Sequence, residues 1–142
     1  MFEPLETISQ LTNTKMQFTV ASKSNPPIVT DYVPPLGDGA GYMPLEVFLA
    51  SLSTCVSGAL INLLRRMRKD VRDIQIKTLG IRNEEHPTGF KTIKLELLIL
   101  SENAEESDVE KAISLSEEKY CPVLAMIKGN VEVSYHFVIK KP

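Results

Sequence analysis

Eighteen consecutive residues, Val47 to Leu64 (VFLASLSTCVSGALINLL), carry no charged side chain. A run of this length meets the minimum for crossing a bilayer. It also holds four hydroxyl side chains, a glycine and an asparagine, and the segments around it alternate like the strands of a soluble protein. A helix that is apolar on all sides is therefore predicted to be buried in protein and not in a membrane. A sheet can cover one face of such a helix, and a partner subunit is the obvious candidate to cover the other.

The composition indicates one globular domain, residues 1–142, because 43% of the chain is hydrophobic and 24% is charged. The net charge of -2 comes from interspersed signs, which give no general attraction to nucleic acid or to an anionic membrane surface. The N-terminal residues MFEPLETISQ are acidic where a secretory signal would be basic, and no apolar segment follows them. We therefore expect a cytoplasmic protein.

The remaining segments predict an α/β (α+β) fold with strands around two helical segments. Alternating apolar residues and turn signals predict strands at KMQFTVAS, PPIVTDYVPP, VRDIQIKTLGIRNEE, FKTIKLELLILS and NVEVSYHFVIKK. HPTG is a hairpin loop between the third and fourth of these strands. The long apolar helix is expected from Leu45 to about Lys69 or Asp70. A second helix is predicted in ESDVEKAISLSEEKY, with Ser107 as its N-cap.

The second of the two cysteines, Cys121, lies in the segment EKYCPVLAMIKGN. Pro122 ends the preceding helix and suits the first position of a new one, so Cys121 is predicted at or beside a helix N-cap. The unpaired N–H groups and the helix dipole at that position favour a thiolate and lower the pKa of a cysteine. A half-buried, unreactive cysteine at a helix junction is the alternative interpretation.

The first cysteine, Cys55, has no such local help because it lies in the middle of the apolar run. At about 100° per residue, its face of the helix carries Phe48, Ser51, Leu52 and Ala59. On local grounds Cys55 is therefore a core residue. Only side chains brought close by the tertiary structure could activate it.

Two motifs together resemble the osmotically inducible protein C and organic hydroperoxide resistance (OsmC/Ohr) family. One is MPLEVFLASLSTCVSGAL, with proline before an apolar helix and small residues around a cysteine; the other is CPVLAMIKGNVEV, whose cysteine follows 66 residues later. The resemblance covers nearly the whole chain. It implies an OsmC-like fold in which an antiparallel sheet packs on a long central cysteine-bearing helix. It also implies an intertwined homodimer.

The resemblance further implies a thiol peroxidase that acts in the oxidative stress response. Cys55 would attack an organic hydroperoxide and become a sulfenic acid, and Cys121 would condense with it to an intramolecular disulfide. A small dithiol or another thiol would be the reductant, and no metal or organic cofactor is implied. The apolar face around Cys55, made of Phe48, Ser51, Leu52 and Ala59, would form the substrate pocket.

Two positions depart from the pattern of the family's peroxidases. Those enzymes use an arginine from the N-terminal region, but here no arginine precedes Arg65, so Lys15 or Lys23 is the expected cation beside the first thiolate. They place a glutamate ten residues before the first cysteine, whereas this chain has Glu46 nine residues before Cys55. A non-catalytic dimer that binds an apolar small molecule, or senses redox state through the same thiols, therefore remains the alternative function.

Overall fold

A computed structural model describes residues 2–142 and contains six strands and three α-helices in that range. The strands are β1 (Ile8–Leu11), β2 (Phe18–Ala21), β3 (Ile28–Thr30), β4 (Asp73–Arg82), β5 (Phe90–Leu100) and β6 (Glu132–Lys140). The helices are α1 (Pro44–Arg66), α2 (Glu106–Leu115) and α3 (Pro122–Ile127), and a π-helical turn, Ser116–Tyr120, joins α2 to the cysteine before α3. The predicted α/β class and the long cysteine-bearing helix are confirmed.

The chain divides into two compact units, of which the first ends at Phe48. In the first unit β1, β2 and β3 form an antiparallel sheet. The following loop is organised by Asp31, whose side chain is completely shielded from solvent. Its carboxylate accepts hydrogen bonds from the backbone N–H groups of Tyr32, Asp38 and Ala40 at 2.8, 3.2 and 3.0 Å. These bonds hold the pKa of Asp31 below its usual value, and the Ala40 N–H has the largest effect.

The second unit, Leu49–Pro142, contains the other sheet, in the order β4-β5-β6. β4 and β5 are antiparallel and joined by the predicted hairpin, but β6 runs parallel to β5. The expectation of a wholly antiparallel sheet is therefore wrong at this pair. The 31 residues between Leu100 and Glu132 contain α2, the π-turn and α3, and a helical crossover of this kind returns the chain in the same direction.

The core of the second unit is built from one stripe of α1 and one face of the sheet. The stripe of α1 consists of Leu52, Val56, Leu60, Leu63 and Leu64, all of which are buried. The centre of the sheet face is formed by Ile93, Leu95, Leu97 and Ile99 of β5. In β5 the buried residues alternate with more exposed ones, as expected for a strand with one covered face. Val109 and Ala112 of α2 and Leu124 of α3 complete the core.

The opposite side of α1 remains exposed in the single chain. By length and composition, α1 could cross a membrane, and 28% of its most apolar 18-residue window is buried within the chain; the core helix of a soluble protein passes the same test. The hydroxyls of Ser53, Thr54 and Ser57 donate to carbonyls one turn earlier in α1, at 3.0, 2.8 and 2.5 Å. These side chains therefore satisfy their own polar groups without leaving the helix.

Several boundaries differ from the sequence prediction for local reasons. α1 ends at Arg66 because Arg68 adopts a φ of +61°, and the Lys69 N–H then closes on the Leu64 carbonyl at 2.9 Å. Ser107 is not the N-cap of α2. That position belongs to Glu105, whose N–H donates to the Asp108 carboxylate at 2.9 Å.

Candidate functional site

The local structure around Cys121 follows the sequence prediction closely. The π-turn ends when the Cys121 N–H donates to the Ser116 carbonyl at 3.0 Å. Cys121 is then extended, with φ −101° and ψ 102°, and Pro122 is the first residue of α3. The Cys121 Sγ accepts a hydrogen bond from the Leu124 N–H at 3.4 Å, so the thiol is the N-cap of α3. The predicted helix N-cap at Cys121 is confirmed.

Cys55 and Cys121 are brought into direct contact by the fold. Cys55 projects from the middle of α1, and Cys121 caps α3. The Cys121 thiol donates to the Cys55 Sγ over 3.0 Å, and both cysteines are free thiols. Only 2% of the Cys121 side chain is exposed, whereas Cys55 is half-buried. The contact distance allows the two sulfurs to form a disulfide after a shift of about 1 Å.

Burial reverses the expected effect of the N-cap on the Cys121 thiol. The cap was predicted to lower the pKa of this cysteine, and the N–H groups of Leu124 and Val123 do act in that direction. Removal from water has a larger effect, and the hydrogen bond to Cys55 adds to it, so the pKa of Cys121 is raised to about 11. The prediction of a lowered pKa at Cys121 is therefore wrong, because it considered only the local helix terminus.

Two side chains near Cys121 were not identified from the sequence. Tyr135 lies on the covered face of β6, in register with Leu95 of β5, and its hydroxyl is buried. Burial raises the pKa of this phenol, and the negative charges of Glu117 and Cys121 add to the effect. Glu117 comes from the π-turn. The alternation of β6 does indicate that Tyr135 points inward, and an inward phenol calls for a polar partner, so this signal was present in the sequence.

The residues predicted to assist Cys55 all lie in the first unit. Glu46 lies in the first turn of α1, where its Oε1 accepts a hydrogen bond from the Met43 N–H at 2.8 Å. Lys15 is paired with Asp38 at 2.5 Å, and both side chains are about half exposed. Lys23 is exposed in a turn, with a φ of +53°. The roles of Glu46, Lys15 and Lys23 at the first thiolate remain predictions.

The four predicted pocket residues differ in exposure. Leu52 is completely buried in the single chain and belongs to the core stripe of α1, and its role in a substrate pocket stays a prediction. Leu52 precedes Cys55 by three residues, so the two side chains are about 60° apart around the helix axis, and Leu52 lies on the buried side of α1. Ser51 is exposed, and Phe48 and Ala59 are half-buried. These three stay candidates for contacts with a substrate.

Comparison with known proteins agrees with the resemblance found in the sequence. Residues 37–136 match the family model described as OsmC-like protein. Protein YhfA of Escherichia coli strain K12 is 29% identical over 96 residues, which are 68% of this chain and 72% of that protein. A hypothetical protein from Aquifex aeolicus has a crystal structure with a TM-score of 0.86 and 29% identity, covering 99% of both chains.

The fold is also that of a hydroperoxide resistance protein. The organic hydroperoxide resistance protein OhrB of Bacillus subtilis superimposes with a TM-score of 0.64 and 20% identity, over 96% of this chain and 98% of that one. The family model covers well over half of the sequence, and it includes both cysteines. The chain therefore belongs to the OsmC-like protein family.

Proposed function

We propose that this protein is a thiol-dependent peroxidase that reduces organic hydroperoxides with Cys55 and Cys121. The observation that carries the proposal is the 3.0 Å contact between the two free thiols. A Cys55 thiolate attacks the hydroperoxide, releases an alcohol and becomes a sulfenic acid. The Cys121 thiol then attacks the Cys55 sulfur, water leaves, and a disulfide remains. A small dithiol reduces this disulfide by thiol exchange.

The different exposure of the two thiols supports this division of roles. Cys55 is half-buried, so a hydroperoxide can approach it, while Cys121 is 2% exposed and can meet only a partner already inside the protein. Burial raises the pKa of Cys121 to about 11, so at neutral pH this thiol keeps its proton and can donate it to the Cys55 Sγ, 3.0 Å away. Cys55 is therefore the better nucleophile and Cys121 the better resolving thiol.

The proposal is tested by mixing the reduced protein with cumene hydroperoxide or with hydrogen peroxide and following disulfide formation by intact mass. We expect rapid formation of a Cys55–Cys121 bond with the organic peroxide. Cys55→Ser should abolish the reaction. Cys121→Ser should still form the sulfenic acid, which dimedone traps as an adduct. If both thiols stay reduced, or react no faster than free cysteine, the peroxidase proposal fails and the non-catalytic binding or sensing function takes its place.

The same assay tests the residues predicted to assist Cys55. Lys15→Gln and Lys23→Gln each remove one cation, and Glu46→Gln keeps the shape of the carboxylate while removing its charge. If one of these lysines stabilises the Cys55 thiolate, its removal should slow sulfenic acid formation. The rate should fall most below the pH at which the thiol of the parent protein ionises. A lysine whose removal leaves that rate unchanged at every pH has no role at Cys55.

We also propose that the protein acts as a homodimer through the exposed side of α1. Ala50, Ser51, Thr54 and Gly58 form this side and are all small. A Cβ atom added at Gly58 would meet nothing within 4 Å in the single chain. Gly58→Arg should therefore leave the subunit folded and prevent dimerisation, as measured by sedimentation. The matched control is Gly89→Arg in the hairpin loop, where an added Cβ is equally unobstructed. A parent protein that sediments as a monomer would exclude the dimer.

A further inference from the structure

The two cysteines of the pair differ in how far they are open to an outside molecule. Only 2% of Cys121 is exposed, whereas Cys55 is half-buried. The backbone N–H of Cys121 donates to the Ser116 carbonyl at 3.0 Å, and its Sγ accepts the Leu124 N–H at 3.4 Å. The π-turn and the first turn of α3 therefore both close on Cys121. An outside thiol can reach its sulfur only after one of these turns has opened.

Cys55 has small neighbours on its own helix. Ser51 and Ala59 lie four residues before and after it, about 40° from it around the axis of α1. Ser51 is exposed and Ala59 is half-buried. Neither side chain is large enough to cover a sulfur, and the run from Val47 to Leu64 carries no charge that would repel an incoming thiolate. Within residues 2–142, the structure therefore leaves an approach to the Cys55 sulfur and almost none to the Cys121 sulfur.

We propose that, once the Cys55–Cys121 disulfide has formed, the reductant attacks the Cys55 sulfur, through the same opening beside α1 by which the hydroperoxide arrives. Cys121 is then only the leaving thiol, and it never bonds to the reductant. The inference rests on the proposed peroxidase function, because it assigns the site of the reducing half of that cycle. Thiol exchange depends on which of the two sulfurs is attacked and on access to it. A single opening makes the hydroperoxide and the reductant alternate at one sulfur.

The reducing half has two steps, in which two electrons of a small dithiol pass to the protein. A thiolate of the reductant bonds to the Cys55 sulfur, the S–S bond of the protein breaks, and its electron pair stays on Cys121, which takes up a proton. The second thiol of the reductant then attacks the reductant sulfur of this mixed disulfide. The reductant leaves as an internal disulfide, and Cys55 keeps the electron pair and takes up the second proton. Both cysteines are then free thiols again.

The acidity of the leaving thiol acts against this assignment, but it is the smaller effect. Burial raises the pKa of Cys121 to about 11, above the ordinary value of 9.0, and a less acidic thiol leaves more slowly. If the leaving thiol has the same sensitivity as an attacking one, about 0.4–0.5 log units per pKa unit, the penalty is roughly tenfold. Attack on Cys121 needs a molecule whose π-turn or α3 has opened, and its rate falls in proportion to the fraction of such molecules. A fraction below about one in ten is enough to favour attack on Cys55.

The first test locates the reductant on the protein and does not need peroxidase activity. The protein is oxidised with diamide, mixed with a large excess of 2-mercaptoethanol and quenched in acid after milliseconds. The remaining thiols are then blocked with N-ethylmaleimide in denaturant, and peptide masses show which cysteine carries which group. We expect 2-mercaptoethanol on Cys55 and N-ethylmaleimide on Cys121, at least about tenfold more often than the reverse. Equal labelling, or more 2-mercaptoethanol on Cys121, would overturn the proposal.

The second test shields each cysteine in turn with a bulky side chain. Ser51→Trp places an indole one helical turn from Cys55, and Glu118→Trp places one on the exposed side of the π-turn that leads to Cys121. Ala50→Trp is the matched control, because Ala50 is also exposed on α1 but lies about 140° from Cys55 around the helix axis. Reduction of the diamide-made disulfide by dithiothreitol and oxidation of the reduced protein by cumene hydroperoxide are followed separately for each variant.

We expect Ser51→Trp to slow reduction and oxidation by similar factors, about tenfold each, because both reactions need access to the same sulfur. Glu118→Trp and Ala50→Trp should leave both rates close to those of the parent. A Ser51→Trp protein whose reduction is not slowed, or a Glu118→Trp protein in which reduction alone is slowed, would contradict the proposal. A protein that shows the expected pattern for reduction but does not react with cumene hydroperoxide is not a peroxidase, yet its disulfide is still attacked at Cys55. An active peroxidase that is reduced at Cys121 refutes only the assignment of the reductant to Cys55.

Discussion

Oxidation of the thiol pair should stabilise the protein strongly. A Cys55–Cys121 bond closes a loop of 66 residues. In the chain-entropy treatment, a cross-link of this span lowers the entropy of the unfolded state enough to stabilise the fold by about 4 kcal/mol at 25 °C. Engineered disulfides often give less because they distort the native backbone. Here the sulfurs are already 3.0 Å apart in the reduced protein, so we expect most of the gain to be retained.

Urea unfolding of the reduced and the diamide-oxidised protein measures this gain directly. With a slope of about 2 kcal/mol per molar urea, the oxidised form should unfold about 2 M later. Both forms are compared at the same protein concentration, since a dimer would add its own concentration dependence. Cys55→Ser treated with diamide is the control and should not shift. An oxidised midpoint equal to or below the reduced one would refute the inference that the two sulfurs are preorganised for bonding.

Three further perturbations test other parts of the structure. Gly37→Ala should destabilise the first unit and speed amide exchange in its loop, because the added Cβ would overlap the Asp31 carboxylate, whereas at Gly89 it would meet nothing. The pKa of Asp31 is lowered, chiefly by the Ala40 N–H. The ionised carboxylate therefore stabilises the fold at pH values above its usual pKa of 3.8, and this stabilisation is lost as the pH falls through the lowered pKa. Asp31→Asn should therefore be less stable than the parent at pH 7, and the difference between their urea midpoints should disappear in acid. The pKa of Cys121 is raised from about 9 to about 11, so the reduced protein should lose stability as the pH rises from 9 to 11. Cys121→Ser should lose less over the same range, because the raised pKa of Tyr135 still acts there.

The parts of the site that follow from short stretches of sequence were predictable. Proline after Cys121 is enough to end one helix and begin another, and the structure has the thiol as the N-cap. The uncharged run around Cys55 likewise predicts a long helix, and α1 extends over Pro44–Arg66. The proximity of the two cysteines was not visible in either stretch. It was anticipated only through resemblance to a family.

Other features could not be predicted because they are sums over the tertiary structure. The sign of the pKa change at Cys121 depends on how completely the fold removes the thiol from water, and no local motif contains that information. The four residues of β1 are all exposed, so they give no apolar periodicity. The direction of β6 depends on the crossover, and its alternation is compatible with parallel or antiparallel pairing. The capping of α2 by Glu105 depends on Asp108, which is also paired with Lys69 at 3.2 Å.

The thiol pair joins two parts of the chain that are synthesised at different times. Cys121 follows Cys55 by 66 residues, so at about 5–20 residues per second it leaves the ribosome roughly 3–13 s later. During that interval a nascent chain contains Cys55, the proposed peroxide-reactive thiol, but not Cys121, which would convert a Cys55 sulfenic acid to a disulfide. A sulfenic acid formed then would be open to irreversible oxidation. In the proposed cycle, protection of Cys55 is thus a property of the completed chain, and we expect newly made molecules to be the ones most easily lost when peroxide is present.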